Sequence, residues 1–171
     1  TDTEIKIGNT APYSGPASSL GIAFQTAAAY FRKINDEGGI NGRKINFITY
    51  DDAYSPPKTV EQTRRLVEDD EVALIFGSLG SATNAATQKY LNAKGVPQLF
   101  IMAAASRFND PKQFPWTMPW PLNTRSEGEI AAAHIQKNLA NEKIGVLYQN
   151  DDFGRDILAG FKAGLGENRS N

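Results

Sequence analysis

Apolar and polar positions alternate through Ile5-Lys6-Ile7 and stop at Gly8, which predicts a short strand. A polar, Gly/Pro-bearing loop runs from Asn9 to Ser19. Leu20, Ala23, Phe24, Ala27, Phe31 and Ile34 then recur every three or four residues, predicting a helix with one apolar face. Gly38-Gly39 ends that helix and Asn41-Gly42 supplies a tight turn. Lys44 to Tyr50 reads as a second strand, with Ile45, Phe47 and Thr49 on one face. After the loop at Asp51 to Ser55, Pro56 and Pro57 suit a helix start, where a missing N–H costs little. Val60, Thr63, Leu66 and Val67 give this helix its inner face. Val72 to Phe76 is continuously apolar, as expected of a strand covered on both sides. Ser81 can cap a third helix reaching about Lys94, which Gly95 ends. Pro97 to Ala105 reads as a fourth strand and the loop at its carboxyl end.

Strands thus alternate with helices, which predicts an α/β fold with a doubly wound parallel sheet. Residues 106 to 123 break the alternation. Pro111, Pro115, Pro119 and Pro121 crowd around Phe114, Trp116 and Trp120, the strongest composition shift in the chain. The tryptophans read as packing at a hinge. The boundary falls there, with one unit over 1–120 and a second over 121–171. The second unit restarts with a helix from about Thr124 to Leu139, a strand at Lys143 to Tyr148, a loop at Gln149 to Asp152 and a helix from Phe153 to about Leu165. One strand and two helices cannot make a sheet by themselves, and the Gly166 to Asn171 tail stops where another strand is due. The pattern reads as that of a truncated chain.

Composition narrows the chemistry. Eighteen basic and 19 acidic residues among 171 leave a formal charge of −1, so no basic field exists for a nucleic acid. With 40% hydrophobic residues the chain can build an ordinary core. No apolar run approaches a membrane span, so a membrane-embedded protein is not expected. Cysteine is absent, which removes disulfides, thiolate nucleophiles and sulfur-ligated metals. One histidine, His134, cannot supply a His-rich metal site, and its place at the border of a helix, away from strand ends, does not suit a serine triad. Gly8, Gly15 and Gly21 have the wrong spacing for a dinucleotide loop, and Gly77-Ser78-Leu79-Gly80 is not a nucleophile elbow. No cofactor and no metal are expected. No signal peptide is visible at the polar start of the chain.

Several ordered segments carry a family resemblance: Ile7-Gly8 with Ser14-Gly15-Pro16-Ala17 and Leu20-Gly21; Ile34-Asn35-Asp36-Glu37-Gly38-Gly39-Ile40-Asn41-Gly42-Arg43-Lys44-Ile45, the most specific; Tyr50-Asp51-Asp52 with Pro56; Phe76-Gly77-Ser78; Gly95-Val96-Pro97; and Val146-Leu147-Tyr148-Gln149-Asn150-Asp151-Asp152-Phe153-Gly154. Together they resemble the type I periplasmic binding proteins, in particular the substrate-binding components of branched-chain amino acid ABC importers. The resemblance runs over the whole chain. It implies two α/β lobes joined by hinge crossovers, with ligand in the cleft between them. On that reading 1–120 is most of the first ligand-binding lobe, and 121–171 is the hinge crossover and the start of the second.

The resemblance also implies site residues. A serine matching Ser81, after a strand-Gly loop and opening a helix, binds the ligand carboxylate in this family. The physics agrees, since free N–H groups and the positive end of the helix dipole favour an anion. Plain helix capping is the alternative role, and the two can coexist. Ala104-Ala105-Ser106 falls on a small-small-Thr segment whose backbone carbonyl and hydroxyl hold an α-ammonium group and whose N–H helps hold the carboxylate. The preceding Met102-Ala103 departs from the Ser-Pro or Ala-Thr pair of many members. Phe153 matches an aromatic residue that covers the ligand. Leu20 lies near a position where amino-acid binders often carry an aromatic residue, and Tyr13 could line the cleft or only shield the loop.

The expected function is therefore that of an exported, periplasmic solute-binding component of an ABC importer. It would bind a small carboxylate-bearing solute, such as a branched-chain or related amino acid, an aromatic acid or a keto acid. Its partners would be that small molecule and the transporter's permease subunits, and it would perform no chemistry. A ligand-sensing regulatory domain of the same fold is the first rival. A Mg²⁺-dependent receiver or phosphotransfer enzyme using the paired carboxylates Asp51 and Asp52 is the second. The bland reading of those two carboxylates is that they cap backbone in a loop.

Overall fold

A computed structural model describes residues 1–166. Five strands form one sheet: β1 (Glu4–Ala11), β2 (Lys44–Asp51), β3 (Leu74–Phe76), β4 (Gln98–Ile101) and β5 (Thr117–Pro119). Their order is β2-β1-β3-β4-β5 and every pairing is parallel. Helices α1 (Ile22–Asp36), α2 (Pro56–Glu68) and α3 (Ser81–Lys94) connect the first four strands, and short 3₁₀ turns occupy Ser18–Gly21 and Ser106–Phe108. Helices α4 (Thr124–Asn138) and α5 (Asp152–Leu165) follow the sheet. The doubly wound expectation holds, and the helix limits fall within two residues of those the periodicity predicts.

Leu66, Val72, Ile75 and Leu91 form the buried cluster that α2 and α3 press onto the sheet. The opposite face carries aromatic rings. Phe47, Phe31, Phe76, Phe100 and Trp120 follow one another in edge-to-face contacts with centroids 5.1 to 6.4 Å apart. Phe100 adopts φ of +54° where the β4–β5 register shifts between Leu99 and Ile101, an uncommon backbone for a bulky residue.

Two expectations are corrected. Residues 106–123 do not merely interrupt the fold. They contain β5, which adds a fifth strand beside β4. Three residues ending in Pro119 are too few to register in the hydrophobic pattern. The predicted strand at Lys143 to Tyr148 is not formed, and that segment is irregular and exposed. A strand needs a neighbour for its backbone N–H and C=O groups, and none lies beside this one among the described residues. The expected break at the Gly166 to Asn171 tail falls largely outside the described residues.

Beyond the sheet the chain forms a helix pair instead. Gly128, Gly160 and Gly164 let α4 and α5 approach until backbone meets backbone. A Cβ built on Gly160 would lie 1.9 Å from the Arg125 carbonyl oxygen, and one on Gly128 would lie 2.2 Å from that of Ile157. Ala132, Phe161 and Leu165 close the contact.

Candidate functional site

In a parallel sheet all strands point the same way, so the loops leaving β1, β3 and β4 gather at one edge. Three neighbouring strands thereby place Tyr13 and Leu20, Ser81, and Ala104 to Ser106 along one rim. A bridge between Leu79 and Met102 keeps the β3 and β4 loops side by side.

The β3–α3 loop is built to leave amides free. Gly80 adopts φ of +100°, and a Cβ there would lie 2.6 Å from the Tyr54 ring and 2.7 Å from Thr83 Oγ1, so glycine is required. Loop carbonyls are taken from within. Asn84 Nδ2 donates to the carbonyls of Ser78 and Gly80, each at 2.8 Å, while the Thr83 hydroxyl donates to Leu79 and Gly80. Gln98 Nε2 anchors Asn84 Oδ1 at 2.9 Å. The first-turn N–H groups of α3 have no helical acceptor, and no side chain caps them. Ser81 is buried, 2% exposed, yet its Oγ has no hydrogen-bond partner. Among the described residues, only the Gln88 amide shares that condition, about two turns further along α3. A buried hydroxyl beside uncapped amides suits an anionic oxygen.

The β4 loop is differently disposed. The Ala104 carbonyl accepts from Thr124 N at 2.9 Å and Thr124 Oγ1 at 3.2 Å. The carboxylate of Asp156, on α5, takes the donors of Ser106. The Ser106 N–H donates to Oδ2 at 3.0 Å, and its Oγ lies 2.9 Å from both carboxylate oxygens. Thr124 Oγ1 donates to Asp156 Oδ2 at 2.6 Å. Burial raises the Asp156 pKa, but the hydrogen bonds from Thr124 and Ser106, with the charge of Arg125, outweigh it and leave the carboxyl below its ordinary value. Beside this cluster an ion pair of 2.6 Å joins Arg107 to Asp152, both side chains about two-fifths exposed. A recess of about 250 Å³ opens there among Ser106, Arg107, Asp152 and Asp156.

The remaining candidates are spread along the rim. Leu20 is 51% exposed and Phe153, in the first turn of α5, 37%. The Tyr13 hydroxyl lies 2.6 Å from Thr49 Oγ1, and the ring packs on the Ala11, Phe24 and Leu79 cluster. Asp51 and Asp52 take the bland role. Asp51 accepts from the N–H groups of Tyr13, Ser14 and Ala53 and from the Ser14 hydroxyl, and Asp52 from Tyr54 N and Thr59 Oγ1. No group of three metal-ligating side chains occurs among the described residues. Among the described residues, the His134 ring pairs with the Asn138 side chain on its own helix, at 3.3 Å. A separate recess of about 350 Å³ on the α1 face is lined by Phe24, Phe76, Phe100, Met102 and Trp120 and offers no charged side chain.

Sequence reasoning missed Asn84, Gln98, Thr124 and Asp156. Gln98, Thr124 and Asp156 act through partners 14 to 50 residues away, and Asn84, which holds the carbonyls of its own loop, is itself held by Gln98, so no local pattern marks them.

These features define the class: one α/β lobe whose loops gather at the carboxyl ends of its parallel strands. Its sequence matches the periplasmic binding protein family over residues 4–170, and the chain belongs to that family. It is 28% identical to Leu/Ile/Val-binding protein homolog 7 of Brucella abortus over 163 residues, covering 90% of this chain and 40% of that relative. Its fold superimposes on a substrate-binding periplasmic protein from Ralstonia solanacearum with a TM-score of 0.84, at 25% identity, covering 95% of this chain and 46% of the other. It is also similar to a solute-binding protein of an ABC transporter from Rhodopseudomonas palustris BisB5, solved in complex with 3,4-dihydroxybenzoic acid. There the TM-score is 0.82 at 25% identity, with 96% of this chain and 44% of the other covered. The chain thus spans less than half the length of these relatives. The family is one of binding proteins, and among the described residues no helix is long and apolar enough to cross a membrane.

Proposed function

We infer that the chain forms most of the first lobe, over 1–120, and the hinge crossover and opening of the second lobe, over 121–171, of a periplasmic solute-binding protein that serves an ABC importer. It binds a small carboxylate-bearing solute and hands it to the permease subunits. The ligand's carboxylate sits at the amino end of α3, on the first-turn amides and the Ser81 hydroxyl. Phe153 and Leu20 flank the solute from the two sides of the cleft, and Ala104 and Ala105 form its floor. Tyr13 backs the rim.

The observation that carries this reading is the unpartnered Ser81 Oγ, buried at an uncapped helix start. A relative named for leucine, isoleucine and valine and a neighbour solved with an aromatic acid share the carboxylate and differ in the rest of the molecule. Calorimetric titration of the protein that carries this chain with leucine and with 3,4-dihydroxybenzoate tests it. Whichever binds should lose about 1–2 kcal/mol in Ser81→Ala, the scale of a hydrogen bond to a charged group. An unchanged Kd would sink the assignment.

A further inference from the structure

A strained turn lies against the start of α3. Ala53 and Tyr54, between β2 and α2, are consecutive non-glycine residues at φ of +48° and +59°. Residues carrying a Cβ seldom occupy that left-handed region. The two carboxylates before the turn hold it. Ala53 N–H donates to Asp51 Oδ1 at 3.0 Å, and Tyr54 N–H to Asp52 Oδ1 at 2.9 Å. Asp52 is fully buried, and its second oxygen accepts from Thr59 Oγ1 at 2.9 Å. So fixed, the turn delivers the Tyr54 ring onto Gly80, the residue before α3. A Cβ on Gly80 would lie 2.6 Å from Tyr54 Cε2 and 3.0 Å from Cζ, so ring and loop backbone are in direct contact. The Tyr54 side chain also packs against the cluster of Ala11, Phe24 and Leu79.

We propose that Tyr54 is a positioning residue for the anion site: its ring, set by the strained Ala53–Tyr54 turn, braces Gly80 and holds the first-turn amides of α3 in the geometry that receives a carboxylate. The inference rests on the α3 reading for what those amides bind. From the helix side Gly80 is held through its carbonyl, which accepts from Asn84 Nδ2 at 2.8 Å and from Thr83 Oγ1 at 3.0 Å. Its Cα side has no side chain of its own to pack, and Tyr54 supplies the missing contact. A loop without that brace samples orientations in which its N–H groups diverge. The binding-competent fraction then falls, and the apparent affinity with it. The strain of the turn persists because two carboxylates and a packed ring over-determine it. Ring carbons make the contact, so the ring and not the hydroxyl carries the role.

Acetate is the probe. Amide resonances of the chain are followed by ¹H–¹⁵N correlation spectra during an acetate titration at neutral pH, with matched chloride as the control, and ¹⁵N relaxation gives the order of the Gly80, Ser81 and Ala82 amides. In the parent these three should be as ordered as the middle of α3, and the Ser81 and Ala82 amides should shift as acetate is added. Tyr54→Phe, which keeps the ring, should match the parent in both readouts. Tyr54→Ala should lower the order of the three amides and raise the acetate Kd about fivefold. Val72→Ala truncates the core near the opposite end of β3, away from the turn. It should lower stability and leave both readouts as in the parent, which separates loss of the brace from loss of stability. If Tyr54→Ala loses its dispersed spectrum, Tyr54→Leu, which keeps apolar bulk without the reach to Gly80, takes its place and is held to the same outcome. Unchanged order from Gly80 to Ala82, an unchanged acetate response, or equal losses in Tyr54→Phe overturns the proposal. Ser81 and Ala82 amides that ignore acetate in the parent would instead overturn the α3 reading, and the relaxation data would still decide whether Tyr54 braces the loop.

Discussion

Ala73 to Phe76 and Ile144 to Tyr148 are similar apolar runs with opposite fates. In the first, Ile75 is 1% exposed and its backbone is paired on both sides, by β1 and β4. In the second, Leu147 is fully exposed, Ile144, Val146 and Tyr148 are more than one-third exposed, and no ladder forms. Propensity is nearly the same in the two. The difference is what stands beside them. A helix satisfies its backbone within itself, so α4 and α5 form wherever their own sequence favours them. A strand becomes a strand only when neighbours supply its partners. The strands are held by their sheet, whereas α4 and α5 are held by their contact with each other and by polar links to the loop after β4.

The largest expected effect sharpens that contrast. Ile75→Ala removes a side chain from the cluster with Leu66, Val72 and Leu91 and should cost about 2–5 kcal/mol. Leu147→Ala removes a side chain already in water and should stay within about 0.5 kcal/mol of the parent. Urea unfolding followed by circular dichroism reads both. Comparable losses in the two would mean that Leu147 is buried in solution and the contrast is false.

Breaking the helix contact is the next test. Gly160→Ala places a methyl group against the Arg125 carbonyl, a clash that backbone can relieve only by moving α5 away from α4. A loss of about 1–3 kcal/mol is expected for such overpacking. It should appear in hydrogen exchange as faster opening of α4 and α5, with β1 and β3 protected as before. Equal acceleration across the sheet would show that the two units open together.

The same asymmetry explains what the sequence discloses. Periods of three to four residues, Pro56 at a helix start and Gly95 at a helix end mark α1 to α5 because these signals are local. The parallel sheet follows from their alternation with strands. The rest is not local. β5 is three residues long, and Lys143 to Tyr148 looks like a strand because its pattern cannot report a missing neighbour. At the rim, Ser81 is legible because a glycine loop followed by a helix start is itself a motif. Asp156 reads as an ordinary helix carboxylate until folding carries it to Ser106. Asn84 and Gln98 are invisible for the same reason, being polar residues whose purpose is set by each other.

The smallest effect expected concerns the loop carboxylates of the first unit, and its sign distinguishes them. Burial raises the Asp51 pKa, but hydrogen bonds from the Ser14 hydroxyl and from the N–H groups of Ala53, Tyr13 and Ser14 outweigh it and hold the carboxyl at about 2. An unfolded aspartate titrates near about 3.9. The folded state therefore binds the proton less readily than the unfolded one. The stabilisation is complete above the unfolded value and is lost as pH falls from there toward 2. Asp52 behaves oppositely. Its burial dominates the bonds from Tyr54 and Thr59 and raises its pKa, so its contribution declines as pH rises from the unfolded value through the folded one. In the parent the two contributions therefore change with pH in opposite senses, and at the acid end only the Asp51 loss remains. Asp51→Asn should flatten the acid limb of the stability curve while leaving the second unit's helix pair unaffected, because no hydrogen bond links Asp51 to α4 or α5 among the described residues. Thermal melts of parent and variant between pH 2 and pH 5 measure it. If the two lose stability in parallel as pH falls, the carboxylate of Asp51 does not hold the rim loop, and the acid sensitivity belongs elsewhere in the molecule.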